Sequence, residues 1–280
     1  MTGRLIVCPT PIGNMEDMTE RGRRALEEAD LIAAEDTRHT LGLLNHFGIK
    51  TPMISCHRYN EQERADLILE KLREGMTVAL VSDAGTPAIS DPGEILVRRC
   101  RQEGIPVTAL PGACAFVTAL SMSGMNSRRF VFEGFLPAGG KERRERLAVL
   151  SKEERTVIFY EAPHHLHKTL ADLLEALGDR EIALGRELTK RYEEMLIMRL
   201  SAAVSYYQEK EPRGEYVLIL QGADPLVLAR EEKKRWEGMS LTEHMALYSD
   251  LPAKEAMKQV AKDRGVSKRD VYNGLLKEES

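Results

Sequence analysis

At 280 residues, 42% of them hydrophobic, the chain has enough apolar material for two modest domains or one large α/β domain with an extension, and its 30% charged residues are ordinary for a soluble protein. A formal charge of −4 argues against a generally basic nucleic-acid coat protein and leaves room for a local basic patch. The first apolar run, residues 5–8, is too short for a signal-peptide core or a membrane span. Four widely spaced cysteines without a C-x-x-C pair argue against a zinc site or a disulfide framework, so reduced thiols in a cytoplasm are expected.

In chain order, strand-length apolar runs fall at residues 4–8, 31–35, 52–56, 77–82 and 106–110, each between turn residues. Helical patterns separate them. Thr37 reads as the cap of a helix ending at Gly48, Asn60 with Glu63 as the capping box of a helix closed by Gly75, and Asp91-Pro92 as the cap and first turn of a helix ending at Gly104. Five such alternations predict a largely parallel sheet with helices on both faces, whose ligands gather at the carboxyl ends of the strands. Beyond Gly124 the spacing predicts strands at 130–135, 156–160, 181–186, 194–200 and 215–220, with helices at 141–150 and 163–177. Strands here follow one another with little helix between, as in a mixed or antiparallel sheet. After Asp224-Pro225 the chain turns helical and charged, and 253–263, Gly265 and 267–277 read as helix, tight turn, helix. The expected fold class is therefore α/β: a parallel-sheet domain over 1–120, a mixed-sheet domain over 121–224 and a helical, helix-turn-helix-like tail over 225–280.

The loops at the strand ends carry the chemistry. Pro9-Thr10-Pro11-Ile12-Gly13-Asn14 lacks both the G-x-G-x-x-G and the phosphate-loop fingerprints, so it suits a rigid wall against a ligand better than a pyrophosphate grip. The longer loop Ser82-Asp83-Ala84-Gly85-Thr86-Pro87-Ala88-Ile89-Ser90-Asp91-Pro92-Gly93 is built of small residues that let backbone approach a ligand, with Asp83 and Thr86 as polar partners. Pro111-Gly112-Ala113-Cys114-Ala115 leads into a further helix; Cys114 has no histidine tied to it by a local motif, which disfavours a catalytic thiol. Glu35-Asp36-Thr37-Arg38-His39, His57-Arg58-Tyr59-Asn60, Tyr160-Glu161-Ala162-Pro163-His164-His165 and Arg186-Glu187-Leu188-Thr189-Lys190-Arg191 bring acids and bases to strand ends. Adjacent histidines such as His164 and His165 point apart on a helix, so no metal is expected.

Taken together, these loops resemble the signatures of the bacterial small-subunit ribosomal RNA (cytidine-2′-O)-methyltransferases, within the tetrapyrrole-methylase superfamily, from about Arg4 to Leu220. The pattern Lys254-Glu255-Ala256, Val260-Ala261 and Tyr272 is also similar to that family's helical tail. The resemblance implies two α/β domains, a homodimer, S-adenosylmethionine as methyl donor, and a substrate in small-subunit ribosomal RNA, free or in the assembled subunit. It places the cofactor at Pro11, at Gly85-Thr86-Pro87 with Ile89, at Cys114 and Ala115, and at Glu161; Asp83, as an acceptor for an amine or hydroxyl, is expected to join them. Thr86 stands where many small-molecule members have Asp, which favours the RNA branch, whereas Cys114 departs from the alanine–serine style loop of the family.

A ribose hydroxyl is a weak nucleophile, so in-line positioning and a group to take its proton are the needs of such a reaction. Lys190, Asp36 and Glu187 are the candidate catalytic residues, with a desolvated Lys190 as base or as charge beside the forming alkoxide. Arg38, His57, Arg143, Arg144, Lys268 and Arg269, together with the run Lys233-Lys234-Arg235, are candidates for gripping RNA. A corrin or porphyrin methylase on the same fold is disfavoured by 5% aromatic content and charged strand-end loops. A non-catalytic RNA-binding module would have no use for an intact cofactor loop.

Overall fold

The first five apolar runs become five parallel strands: β1 (Arg4–Val7), β2 (Leu31–Ala34), β3 (Met53–Ser55), β4 (Thr77–Val81) and β5 (Val107–Ala109), in the order β3-β2-β4-β1-β5. The computed structural model describes residues 3–278; the side chains of residues 231–235 and 237, which include Lys233, Lys234 and Arg235, lie outside that description. Alternation along the strands serves two cores. Leu5, Val7, Ala33, Val78 and Leu80 face one layer with Ile68, Leu69, Leu72 and Leu96. Ile6, Cys8, Ile32, Ala34, Ala79 and Val81 face the other with Leu26, Leu43 and Leu44. Burying each of the larger side chains stabilises by roughly 1.5–3 kcal/mol. The layers are supplied by helices α1 (Glu20–Glu28), α2 (Thr37–Phe47), α3 (Glu61–Arg73) and α4 (Glu94–Gln102).

Three helix starts differ from the sequence reading. Asp36, not Thr37, caps α2, accepting from the Arg38 N–H at 2.8 Å. Asn60 precedes α3 without a capping bond; its Oδ1 accepts instead from the His57 N–H at 2.8 Å. Helix α4 begins at Glu94 rather than at Asp91-Pro92. Its orphan donors, the N–H groups of Gly93 and Ile95, are taken by Oε1 of the buried Glu61 at 2.8 and 3.1 Å. A carboxylate at a helix N-terminus satisfies both the donors and the dipole. Glu61→Ala is therefore expected to destabilise by about 1–3 kcal/mol in a denaturant titration, with the slope of the transition unchanged.

Helix α5 (Ala115–Ser123) leads to the second sheet: β6 (Phe130–Gly134), α6 (Gly140–Leu150), β7 (Thr156–Glu161), α7 (Leu166–Leu177), β8 (Glu181–Arg186), β9 (Glu194–Arg199), α8 (Leu200–Glu209) and β10 (Tyr216–Leu220). The order is β6-β7-β10-β8-β9, with β6 parallel to β7 and the other pairs antiparallel. Helix α8 was not legible in the strand-rich reading of this region; it buries Leu200, Ala203 and Tyr207 along one face. Residue 120 falls inside α5, whose Ala119 and Leu120 pack with Ile158, Ala183, Val217 and Ile219 of the second sheet. Both sheets lie in one compact unit, residues 1–148 and 155–221.

Residues 149–154 with 222–280 form a second unit. It contains α9 (Pro225–Glu237), α10 (Leu241–Ala246), α11 (Ala253–Arg264) and α12 (Lys268–Glu278), and Val260, Ala261 and Val271 form its core. Gly265 ends α11 in the left-handed conformation, giving the helix, tight turn, helix pattern. No helix among the described residues is long and apolar enough to cross a membrane.

Candidate functional site

A cavity of about 340 Å³ lies at the carboxyl ends of the parallel strands. From the first sheet it receives Ile12 after β1, Glu35 after β2, the loop from Asp83 to Asp91 after β4, and Cys114 and Ala115 where α5 begins. The second sheet brings three strand ends together. The antiparallel register sets Tyr216 of β10 opposite both Glu161 of β7 and Arg186 of β8. Tyr160, Glu161, Glu215, Tyr216 and the loop bearing Glu187, Leu188 and Lys190 thereby line the same space.

The loops are fastened to each other. Thr10 and Gly85 form a two-bond antiparallel bridge (2.9 and 3.0 Å), and the Thr86 hydroxyl donates to the Ala113 carbonyl at 2.9 Å. Gly85 has φ +84, and a Cβ there would come within 3.3 Å of Ile12 Cγ2, so the residue type fits both the turn and the close approach. Ala88 (φ 65) and Ser90 (φ 65) follow in the β4 loop, and Glu187 (φ 49) and Thr189 (φ 65) in the β8 loop. These are the non-glycine residues with positive φ among those described. Backbone strain of this kind, of order 1–3 kcal/mol per residue, clusters at functional sites.

The cavity is rich in carboxylates: among the described residues, Glu35, Asp83, Asp91, Glu161, Glu187 and Glu215 face one cation, Lys190. Burial pushes the Glu35 carboxyl above its usual range, against a hydrogen bond from the Asp83 N–H, and the charges of Asp83 and Asp36 add to the rise. Burial also pushes Asp91 up to about 6, reinforced by Glu35 and opposed by a hydrogen bond with Ser82. The sequence reading assigned Asp91 to a helix cap; because Glu61 does that work, the Asp91 carboxyl is left to face the cavity. A raised carboxyl pKa means the folded protein holds the proton more tightly than the unfolded chain. The associated stability is present below about pH 4 and is lost as pH rises through about 6. Asp91→Asn is thus expected to raise the melting temperature of the ligand-free protein by a few degrees at pH 7, roughly 1 kcal/mol after solvent screening, and to leave it unchanged at pH 4.

Asp83, Gly85, Thr86, Ile89, Cys114, Ala115 and Glu161, expected at the cofactor, all line the cavity; Pro11 is buried and does not. Glu161 is 6% exposed, fixed by the Thr169 hydroxyl and by the Ala162 N–H at 2.9 Å. Burial raises the Cys114 pKa and keeps the thiol protonated. Lys190 and Glu187 face the cavity as a pair, Nζ to Oε1 3.1 Å. Asp36 is elsewhere. Its carboxylate caps α2 and holds Arg38 at two points (3.2 and 2.9 Å), which keeps it down at about 2 and makes it a poor proton acceptor.

The expected RNA contacts divide. Arg143, expected at RNA, is instead 5% exposed, paired with Asp172 at 2.6 Å and donating to the Pro137 carbonyl and the Thr169 hydroxyl, so it is part of the packing of α6 on α7 and cannot meet RNA. Arg38 is exposed but holds its own Asp36. His57 is half-buried beside Tyr59, which is 97% exposed. Arg144 and Arg269 are exposed and Lys268 is half-exposed, the last two in the first turn of α12. Phe135, Tyr160, Glu215 and Tyr216 were missed as cavity residues. A strand pattern marks that they lie near strand ends, but only the register of β7, β10 and β8 brings those ends together.

Residues 4–204 match the family model of the tetrapyrrole (corrin/porphyrin) methylases. A protein of Halalkalibacterium halodurans named ribosomal RNA small subunit methyltransferase I is 50% identical, over 97% of this chain and 94% of its own length. A protein of the same name from Thermotoga maritima is 48% identical over 222 residues, which is all of that relative and 79% of this chain. Among solved structures, uroporphyrin-III C-methyl transferase from Thermus thermophilus, complexed with S-adenyl homocysteine, superposes with a TM-score of 0.58 at 21% identity, over 78% of this chain and 97% of that one. That likeness shows the fold.

Proposed function

We propose, from the premise that this chain belongs to the tetrapyrrole (corrin/porphyrin) methylase family and to the ribosomal RNA small subunit methyltransferase I relatives within it, that it transfers a methyl group from S-adenosylmethionine to the ribose 2′-hydroxyl of a cytidine in small-subunit ribosomal RNA. The supporting observation is the carboxylate-rich cavity with Lys190 as the cation among its described lining residues. S-adenosylmethionine supplies a methyl group already activated by a sulfonium cation, and half-buried carboxylates suit that charge.

The residues fit the donor. The cavity volume of about 340 Å³ is within the range of roughly 300–1,000 Å³ usual for small-molecule sites. Gly85 leaves room where a Cβ would crowd Ile12, and the strained Ala88 and Ser90 hold the loop in a preset shape. Asp83, Gly85, Thr86, Ile89, Cys114, Ala115 and Glu161 would hold the donor. Glu187 takes the proton leaving the ribose hydroxyl, and Lys190, beside it, sets a positive charge against the developing alkoxide. The preset loops position the hydroxyl in line and restrict water.

We assign the protein to the cytoplasm and to a homodimer, with RNA gripped by Arg144, Lys268 and Arg269 outside the cavity. The test is incubation with S-adenosylmethionine labelled in its methyl group and either free small-subunit RNA or assembled small subunits. Label in RNA from either is expected. Donor binding with no label in RNA, and label in a tetrapyrrole precursor, would overturn the reading.

A further inference from the structure

The catalytic cavity cannot supply RNA affinity. Its lining of carboxylates repels phosphodiesters, and the chain as a whole carries a formal charge of −4. Phosphate contacts are the main source of affinity for nucleic acid and also set its register. They must come from local clusters of cations that are not already neutralised by a carboxylate.

A second cavity, of about 170 Å³, meets that requirement. Arg4, Arg21 and Arg24 line it, with Glu28 as the acid among them. The placement follows from two periodicities. On β1, Arg4 and Ile6 point to the α1 side of the sheet, and their register partners Thr77 and Thr108 also line the cavity. On α1, Arg21 and Arg24 are three residues apart and project, exposed, from one flank of the buried Gly22–Leu26 face, whereas Arg23 lies on the other flank. Arg23 is neutralised within the helix by Glu20 at 2.9 Å and Glu27 at 2.5 Å. Among the described residues, Arg4, Arg21 and Arg24 carry no ion pair. Strand β5, at the edge of the sheet, leaves this side open, and Thr108 is exposed there.

We propose that the pocket formed by Arg4, Arg21 and Arg24 is an anion site that takes backbone phosphates of the RNA substrate; this rests on the functional reading above. Guanidinium groups match phosphate oxygens in two-point geometry, and the neighbouring Thr77 and Thr108 hydroxyls can add hydrogen bonds. Arg4 begins β1, and the catalytic loops lie at the opposite, carboxyl ends of the strands. The contact therefore belongs to a folded RNA large enough to reach around the first sheet, and it orients the substrate without touching the reacting atoms.

The experiment measures binding of protein-free small-subunit RNA and of assembled small subunits over a salt series. It compares the wild type with the triple variant Arg4→Gln, Arg21→Gln, Arg24→Gln and with the control Arg23→Gln. The altered side chains are on the surface, so donor affinity and melting temperature are expected to stay unchanged. The triple variant is expected to bind RNA about 10- to 100-fold more weakly at low salt, and the slope of log affinity against log salt is expected to fall by about 2 to 3. Arg23→Gln is expected to behave as wild type. Equal affinity and slope in the triple variant and wild type would overturn the proposal, as would an equal loss in Arg23→Gln. RNA binding that depends on the three arginines, in a wild type that transfers no methyl group, would overturn the functional reading and leave the pocket assignment standing.

Discussion

Replacing Lys190 with alanine is expected to lower methyl transfer by roughly 100- to 10,000-fold while changing donor affinity little. The side chain is placed by packing as well as charge. A Cβ on Gly13 would lie 2.4 Å from Lys190 Cγ, so the stem runs over the first loop where only hydrogen fits, and Nζ reaches Glu187 Oε1 at 3.1 Å. Glu187 is in turn held with positive φ against Gly214, where a Cβ would come within 2.3 Å of its Oε1. A lysine fixed by two loops in a site otherwise lined by acids is suited to stabilise negative charge that develops only in the transition state. The loss should therefore appear in kcat with KM for RNA nearly unchanged, and Lys190→Arg should restore part of it. Normal turnover by the alanine variant would remove Lys190 from the mechanism.

Arg143→Ala is expected to cost about 3–5 kcal/mol of stability, because it removes one partner of a buried ion pair. Asp172, the Pro137 carbonyl and the Thr169 hydroxyl would all lose their cationic partner. Thr169 also donates to Glu161, so the change propagates to a cavity wall. A denaturant titration reads the loss of stability. RNA affinity of the folded fraction should equal that of the wild type, whereas a weakened affinity with unchanged stability would return Arg143 to the RNA surface.

The contrast between these residues shows what the sequence made legible. The parallel sheet was readable because each short apolar run is bounded by turn residues and local pattern decides the element. The cavity loops were readable because small residues and strand ends coincide. Asp91 was misassigned because capping rules look only along the chain, and the group that caps α4 is Glu61, 32 residues earlier. Arg143 was misassigned because a charged helix looks uniformly solvated; yet it shares a face with Leu147 and Leu150, both buried, and that spacing was the available signal. Asp36 looked like an acid at a strand end, but its neighbour Arg38 and the α2 donors fix it in place. Phe135 and Glu215 reach the cavity only through the pairing of distant strands, which no local pattern encodes.

An acid-lined cavity that directs methyl transfer to a ribose oxygen leaves a product that alkali distinguishes. Small subunits lacking the modification are incubated with methyl-labelled S-adenosylmethionine, and the RNA is hydrolysed in alkali. A 2′-O-methyl group blocks cleavage of the adjoining phosphodiester, so the label is expected in one alkali-resistant dinucleotide whose 5′ residue is a cytidine. Label released as a mononucleotide methylated on its base would contradict it.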